Sequence, residues 1–227
     1  MIKNILFDLD DTLLDFHKAE KTALTKTFTA LGINHSDATI ARYSEINAAQ
    51  WQLLEKGELT REQVLTRRFD LLFEEIGVTH CSSDLTKNIY EKYLSQGHFF
   101  IPGAKELLQT LMPMYNLYLV SNGASVVQAG RIQSAGIASC FKQIFISEEI
   151  GVNKPQLAFF THCFAQIPDF SAEETIIVGD SLTSDIQGGI NAGIHACWFN
   201  PHHKPTRADI PAEYEISALA DLPALLE

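Results

Sequence analysis

Four short apolar runs, each leading to a residue with chemistry to offer, constrain the fold of this chain more tightly than any other feature. Ile5-Leu6-Phe7 runs into Asp8, Leu117-Tyr118-Leu119-Val120 into Ser121, and Thr175-Ile176-Ile177-Val178 into Gly179-Asp180, while Phe145-Ile146 leads to Lys154-Pro155. Short runs of this β-branched and aromatic type read as buried strands. Helical patterns lie between them, at Ala104 to Leu111, at Gln156 to Ala165 and around Asp185, and His195 to Phe199 reads as a further strand. Strand and helix in alternation predict an α/β fold, a Rossmann-like parallel sheet with right-handed crossovers. In such sheets ligands gather beyond the carboxyl ends of the strands, where these polar residues fall.

Their spacing locates an insertion. Asp8 and Ser121 are 113 residues apart, against 33 from Ser121 to Lys154 and 26 from Lys154 to Asp180. A strand-helix-strand unit needs roughly 30 residues, so only the first interval is too long. It is filled with helical patterns: Leu24, Phe28 and Leu31 closed by Gly32, then a helix capped by Ser36-Asp37 and running to about Leu54. Thr60-Arg61-Glu62-Gln63 opens another with the stripe Leu65, Phe69, Leu72 and Ile76, and Ser82-Ser83-Asp84 begins a last one ending near Leu94. The expected division is a core of residues 1–14 and 96–227 and an inserted all-helical cap of residues 15–95. Beyond Pro201 to Pro211, a small edge strand is expected near Tyr214 to Ile216.

Asp8, Asp10 and Asp11 crowd one loop, and like charges this close need neutralising; the fitting partner is a hard divalent cation with oxygen ligands, Mg²⁺. With 17 basic and 28 acidic residues the net charge is −11, which argues against nucleic-acid polymers and anionic membrane surfaces as partners. A phosphate substrate therefore needs local positive charge, from a metal and a well-placed Lys. No Arg cluster lies near the expected strand ends. Cys81, Cys140, Cys163 and Cys197 show neither a Cys-x-x-Cys spacing nor the density of a disulfide scaffold. No stretch approaches a membrane span or a signal peptide, so a cytoplasmic location is expected. His202-His203 reads as a solvated loop pair, and Gly188 to Gly193 as close helix packing with a helix end.

Asp8-Leu9-Asp10-Asp11-Thr12, Ser121-Asn122-Gly123, Lys154-Pro155 and Gly179-Asp180 with Asp185 stand in the order of the four motifs of the haloacid dehalogenase (HAD) superfamily, which the chain resembles over its whole core. The resemblance implies a phospho-aspartate mechanism with Asp8 as nucleophile and Asp10 as general acid and base. It implies that Ser121 and Asn122 bind phosphate, and that Lys154, preceding a helix-opening Pro155, pairs with both nucleophile and phosphate. Mg²⁺ would be held by Asp8, Asp180 and the backbone carbonyl of Asp10, with Asp185 supporting its waters or Lys154. Members that do not hydrolyse phosphate esters lack the carboxylate at the position of Asp10, so its presence points to phosphomonoester hydrolysis or phosphate migration.

The cap and the segment from Gly179 to Pro201 are similar to the bacterial pyrimidine 5′-nucleotidase subgroup, at Leu13-Leu14-Asp15-Phe16, Asn47, Trp51, Gly57, Arg68-Phe69, Gly151 to Pro155 and Trp198 to Pro201. That implies a small phosphorylated metabolite, a nucleoside monophosphate, as substrate. Phe16, Trp51 and Arg68 are the candidates in the cap for contacting it; Arg68 lies beside the apolar stripe of its helix, whereas Arg67 points almost opposite. A sugar-phosphate phosphatase, a phosphomutase and a silent phosphate-binding module are the alternatives.

Overall fold

The computed structural model describes residues 1–226; Glu227, the last residue of the expected core, lies outside them. Among the described residues the strands β1 (Asn4–Phe7), β2 (Asn116–Ser121), β3 (Gln143–Ile146), β4 (Thr175–Gly179), β5 (His195–Phe199) and β6 (Tyr214–Ile216) form one sheet, ordered β3-β2-β1-β4-β5-β6. Every pairing is parallel, with Phe7 opposite Leu119 on one side and Val178 on the other. The order reverses direction at β1, so a crevice opens beyond the ends of β1, β2 and β4, where Asp8, Ser121 and Asp180 sit.

The helices are α1 (Phe16–Ala30), α2 (Asp37–Glu55), α3 (Arg61–Ile76), α4 (Ser83–Leu94), α5 (Ala104–Leu111), α6 (Ser125–Ala135), α7 (Ser147–Ile150), α8 (Leu157–Phe164), α9 (Gln187–Ala192) and α10 (Leu222–Leu226). Strand residues alternate between the two sheet faces. Ile5, Phe7, Leu119 and Val178 pack with Leu108 and Leu111 of α5, Ile132 of α6 and Leu222 of α10; Leu6, Val120, Ile177 and Trp198 pack with Phe159, Phe160 and Cys163 of α8. Each large apolar side chain fully withdrawn from water contributes about 1.5–3 kcal/mol, which is why both faces must be covered.

Helices α1 to α4 share a separate apolar cluster. Tyr43, Phe69 and Tyr90 form its aromatic centre, with ring centroids 5.0 Å apart for Tyr43–Phe69 and 5.6 Å for Phe69–Tyr90. The two chain segments joining this bundle to the sheet run antiparallel at Leu14 and Phe100, and Asp15 N donates to Phe99 O at 2.8 Å. The helix starts follow local chemistry: Ser36 with Thr39 and Thr60 with Gln63 form capping boxes, and Ser82 caps α4.

Two local expectations are corrected. Ile76 is 37% exposed, because it is the last residue of α3 before the left-handed Gly77 and the stripe has run off the packed face. Pro155 does not open the helix: Gln156 is the cap and α8 starts at Leu157, which leaves Lys154-Pro155 as an irregular link carrying the lysine. Cys163 and Cys197 lie in the core, and all four cysteines are free.

Candidate active site

The loop after β1 is wound tightly enough to aim several polar groups at once. Leu13 N and Leu14 N both donate to Leu9 O, and Asp11 N donates back to Leu14 O at 2.8 Å. Asp11, at φ 58°, also lines the crevice, and its Oδ1 accepts from Phe16 N at 2.8 Å beside the start of α1, which Asp15 caps. Buried Thr12 accepts from Asp180 N at 3.1 Å through Oγ1, tying this loop to the end of β4.

Lys154 occupies the centre. Its Nζ donates to Asp8 Oδ1 at 2.7 Å, to Asp185 Oδ1 at 2.7 Å and to Val120 O at 3.0 Å, which uses all three ammonium hydrogens. The side chain of Asn122 clamps the lysine's main chain, accepting from Lys154 N at 2.9 Å and donating to Lys154 O at 3.0 Å. Asp185 reaches the lysine from a π-helical turn, Leu182–Ile186, and accepts from Ser181 N at 3.1 Å. Gly179 makes that approach possible, since a Cβ there would lie 2.3 Å from Asp185 Oδ2.

Burial pushes the Asp8 carboxyl up to about 7, with Asp185 and Asp10 adding to the effect and Lys154 opposing it. Burial alone would lower the Lys154 ammonium, but the two carboxylates outweigh it and hold it above its ordinary range. Asp180 is raised well above the usual carboxylate range, by burial first and then by Asp8, Asp185 and Asp11. Its cationic neighbour among the described residues, Lys204, stands 3.7 Å away. Carboxylate oxygens of Asp8, Asp180 and Asp185 all lie within 4.8 Å of one another. Three acidic groups around one ammonium leave an excess of negative charge in a dry place, and their hard oxygen donors fit a hard divalent cation such as Mg²⁺.

Asp10 stands apart from that cluster, and its carboxylate is held by groups that sequence reasoning missed. Gln128 Nε2 donates to Asp10 Oδ2 at 2.6 Å and to Ser121 Oγ at 2.8 Å, and Arg131 Nη1 forms an ion pair with Asp10 Oδ1. A second unforeseen arginine, Arg61 in the first turn of α3, donates to Asn122 O at 2.6 Å and also bonds Ser147 Oγ and Asn153 Oδ1. The expectation of no arginine cluster near the strand ends is therefore corrected: Arg131 arrives from α6, directly after β2, and Arg61 from α3, remote in sequence. A signal did exist for α6, where Gln128 and Arg131 interrupt the buried face formed with Val127 and Ile132. A polar pair on an apolar stripe asks for buried partners.

A cavity of about 220 Å³ joins these groups to the helical bundle. Asp8, Asp10, Ser121, Asn122, Lys154, Asp180 and Asp185 line one end, and Phe16, Trp51, Leu65, Arg68, Glu91 and Leu94 line the other. Phe16, Trp51 and Arg68 thus share one space with the phosphate machinery expected from sequence. Arg68 is 3% exposed, donating to Asn47 Oδ1 at 3.0 Å and to Leu65 O at 3.2 Å, with Nη2 3.9 Å from Glu91 Oε1. That Glu91 oxygen is buried without a hydrogen-bond partner, and burial raises its carboxyl, with Arg68 opposing. Glu55 also enters from the cap side, accepting from Thr183 Oγ1 at 2.8 Å.

Comparison with known proteins agrees with this geometry. The family described as haloacid dehalogenase-like hydrolase matches residues 5–199. A protein of Bacillus subtilis named HAD-hydrolase YfnB is 41% identical over 97% of this chain and 93% of its own length. Its crystal structure, described as bound to magnesium and as showing interdomain movement, superimposes with a TM-score of 0.95 over 100% of this chain and 99% of that one. Pyrimidine 5′-nucleotidase PynA of Streptococcus pneumoniae is 39% identical over 97% of this chain and 93% of its own. Pyrimidine 5′-nucleotidase YjjG of Escherichia coli is 29% identical over 98% and 96%.

Proposed function

This chain belongs to the haloacid dehalogenase-like hydrolases, and from that premise we propose that it is a Mg²⁺-dependent phosphomonoesterase acting on pyrimidine nucleoside 5′-monophosphates. The observation that carries the reading is the single cavity, with a lysine-centred acidic cluster at one end and apolar and aromatic walls with a buried donor–acceptor pair at the other. A nucleoside monophosphate has that same polarity: a dianion at one end and a flat ring with hydrogen-bonding edges at the other.

Asp8 is the nucleophile of this reading and Lys154 the fixed cation that balances charge as its carboxylate attacks phosphorus. Ser121 and the backbone of Asn122 stand beside the lysine to receive phosphate oxygens. Asp10 gives its proton to the departing oxygen and later takes one from water. Asp8, Asp180, Asp185 and the Asp10 carbonyl would hold Mg²⁺, which supplies charge neutralisation at the phosphoryl group. Residues 1–14 and 96–227 form the catalytic core, and residues 15–95 a cap that excludes water and selects the leaving group. Within the cap, Arg68 and Glu91 offer a donor beside an acceptor, complementary to the adjacent C=O and N–H of uracil or thymine, while Trp51 and Phe16 offer ring faces.

Phosphate release with Mg²⁺ across nucleotides and sugar phosphates tests the assignment: uridine and thymidine monophosphate should lead, and a preference for hexose phosphates would overturn it. Arg68→Ala or Glu91→Gln should raise KM for those nucleotides by roughly 10-fold or more, the value of one charged hydrogen bond, with little change for 4-nitrophenyl phosphate. Equal losses on both would reduce the pair to a structural support of the cap.

A further inference from the structure

Neither the family resemblance nor the acidic cluster accounts for the two side chains that α6 sends to Asp10. Arg131 is 0% exposed, and its Nε donates to Gly97 O at 3.0 Å while its guanidinium lies 5.7 Å from the Phe16 ring centroid. It is therefore fixed at several points before it meets Asp10 Oδ1. Gln128, 1% exposed, takes the other oxygen, and its amide also reaches Ser121 Oγ. The chain makes room for this: a Cβ on Gly123 would lie 2.3 Å from Gln128 Nε2, so any larger residue at this place in the Ser121-Asn122-Gly123 turn would push the glutamine out of its position. Arg131 Nη1 further donates to Gln128 Oε1 at 3.2 Å, locking the pair together.

We infer that Gln128 and Arg131 are positioning residues of the hydrolysis, a buried pair that holds both oxygens of the Asp10 carboxylate in one orientation for proton transfer at the scissile oxygen. The inference rests on the acid–base reading of Asp10 given above. In the first half-reaction an Asp8 oxygen bonds phosphorus as the bond to the leaving oxygen breaks, and that oxygen takes the Asp10 proton. In the second, water gives a proton back to Asp10 as its oxygen bonds phosphorus and the bond to Asp8 breaks. An unanchored carboxylate on a loop would spend part of its time out of line for both transfers. Neither Gln128 nor Arg131 needs to touch substrate for this.

Leaving-group dependence separates this role from mere support of the loop. Phenyl phosphate and 4-nitrophenyl phosphate are close in size, but the less acidic phenol needs protonation to leave and the nitrophenol hardly does. Asp10→Asn should lower kcat/KM for phenyl phosphate about 100-fold, the low end of general acid catalysis, and far less for 4-nitrophenyl phosphate. Gln128→Met and Arg131→Gln should show the same bias, each losing at least about 10-fold more on phenyl phosphate. A steep Asp10→Asn profile with flat profiles for both α6 variants overturns the inference alone, whereas a flat Asp10→Asn profile overturns the acid–base reading and the inference with it. Should Arg131→Gln fail to fold, Gln128→Met decides by itself.

Discussion

The three N–H bonds of the Lys154 ammonium end on Asp8, Asp185 and the carbonyl of Val120, in a place almost closed to water. Removing this cation leaves two buried carboxylates facing each other and deprives a phosphate of its fixed counter-charge. Lys154→Ala should therefore cut kcat/KM at least about 100-fold, roughly 2.7 kcal/mol of transition-state stabilisation, in steady-state assays with 4-nitrophenyl phosphate. Lys154→Arg should restore little, because a planar fork cannot place one hydrogen on each of three partners around a point. Activity of Lys154→Ala within threefold of wild type would return the residue to a purely structural role. Asp8→Asn replaces one carboxylate oxygen with nitrogen, so it should keep the fold and abolish turnover; retained turnover would exclude a phospho-aspartate. The acidic loop stood out because carboxylates after an apolar strand are unusual, yet sequence could not say that Asp11 also takes the backbone N–H of Phe16 at the start of α1.

Helix α3 touches the sheet side of the molecule through Arg61, which reaches loops around Asn122, Ser147 and Asn153 from the first turn, while Glu55 at the end of α2 reaches Thr183. These polar contacts flank the cavity and join the helical bundle to the sheet side, alongside the apolar contact of Val127 and Ala124 with the bundle's cluster. Arg61→Ala removes several charge-assisted hydrogen bonds, each worth about 1.5–3 kcal/mol, without touching the cap's own cluster. Amide exchange should then quicken in the paired segments near Leu14 and Phe100 while α1 to α4 stay protected; unchanged exchange would show that the cap is held by other contacts. The helices themselves could be read from sequence, since capping boxes at Ser36 and Thr60 and the left-handed glycines at Gly32 and Gly77 are decided within a few residues. Partners 61 to 121 residues away, as for Arg61 with Asn122 and Arg131 with Asp10, leave no trace in local pattern.

Surplus negative charge is gathered at one crevice of a molecule already at −11, and this ties stability to pH and metal together. Folding lifts the Asp8 carboxyl from 3.8 to about 7, so the metal-free protein binds a proton there that the unfolded chain releases. The stabilising contribution is whole below about pH 4 and is lost as pH rises through about 7. In EDTA, the melting temperature of wild type relative to Asp8→Asn should fall as pH rises across that window. Added Mg²⁺ requires deprotonated ligands and should raise the melting temperature more at pH 8 than at pH 5. A Mg²⁺ shift that is equal at both values would mean that these carboxylates are not its ligands.

Short-range rules were enough to read strands from apolar runs and helix ends from caps, and the long interval after Asp8 is filled by helices α1 to α4, whereas Asp8, Ser121, Lys154 and Asp180 were singled out by the order of their motifs. Sequence also supplied the cap residues Phe16, Trp51 and Arg68, which line the cavity. Only the tertiary structure decided what each polar group is held by: Asn122 on the backbone of Lys154, Gln128 and Arg131 on Asp10, Arg61 across from cap to core, and Glu91 beside Arg68. The physical reason is that strand order and the seating of one helix bundle on a sheet bring together groups distant in the chain. Buried polar groups take their partners from whatever that arrangement delivers.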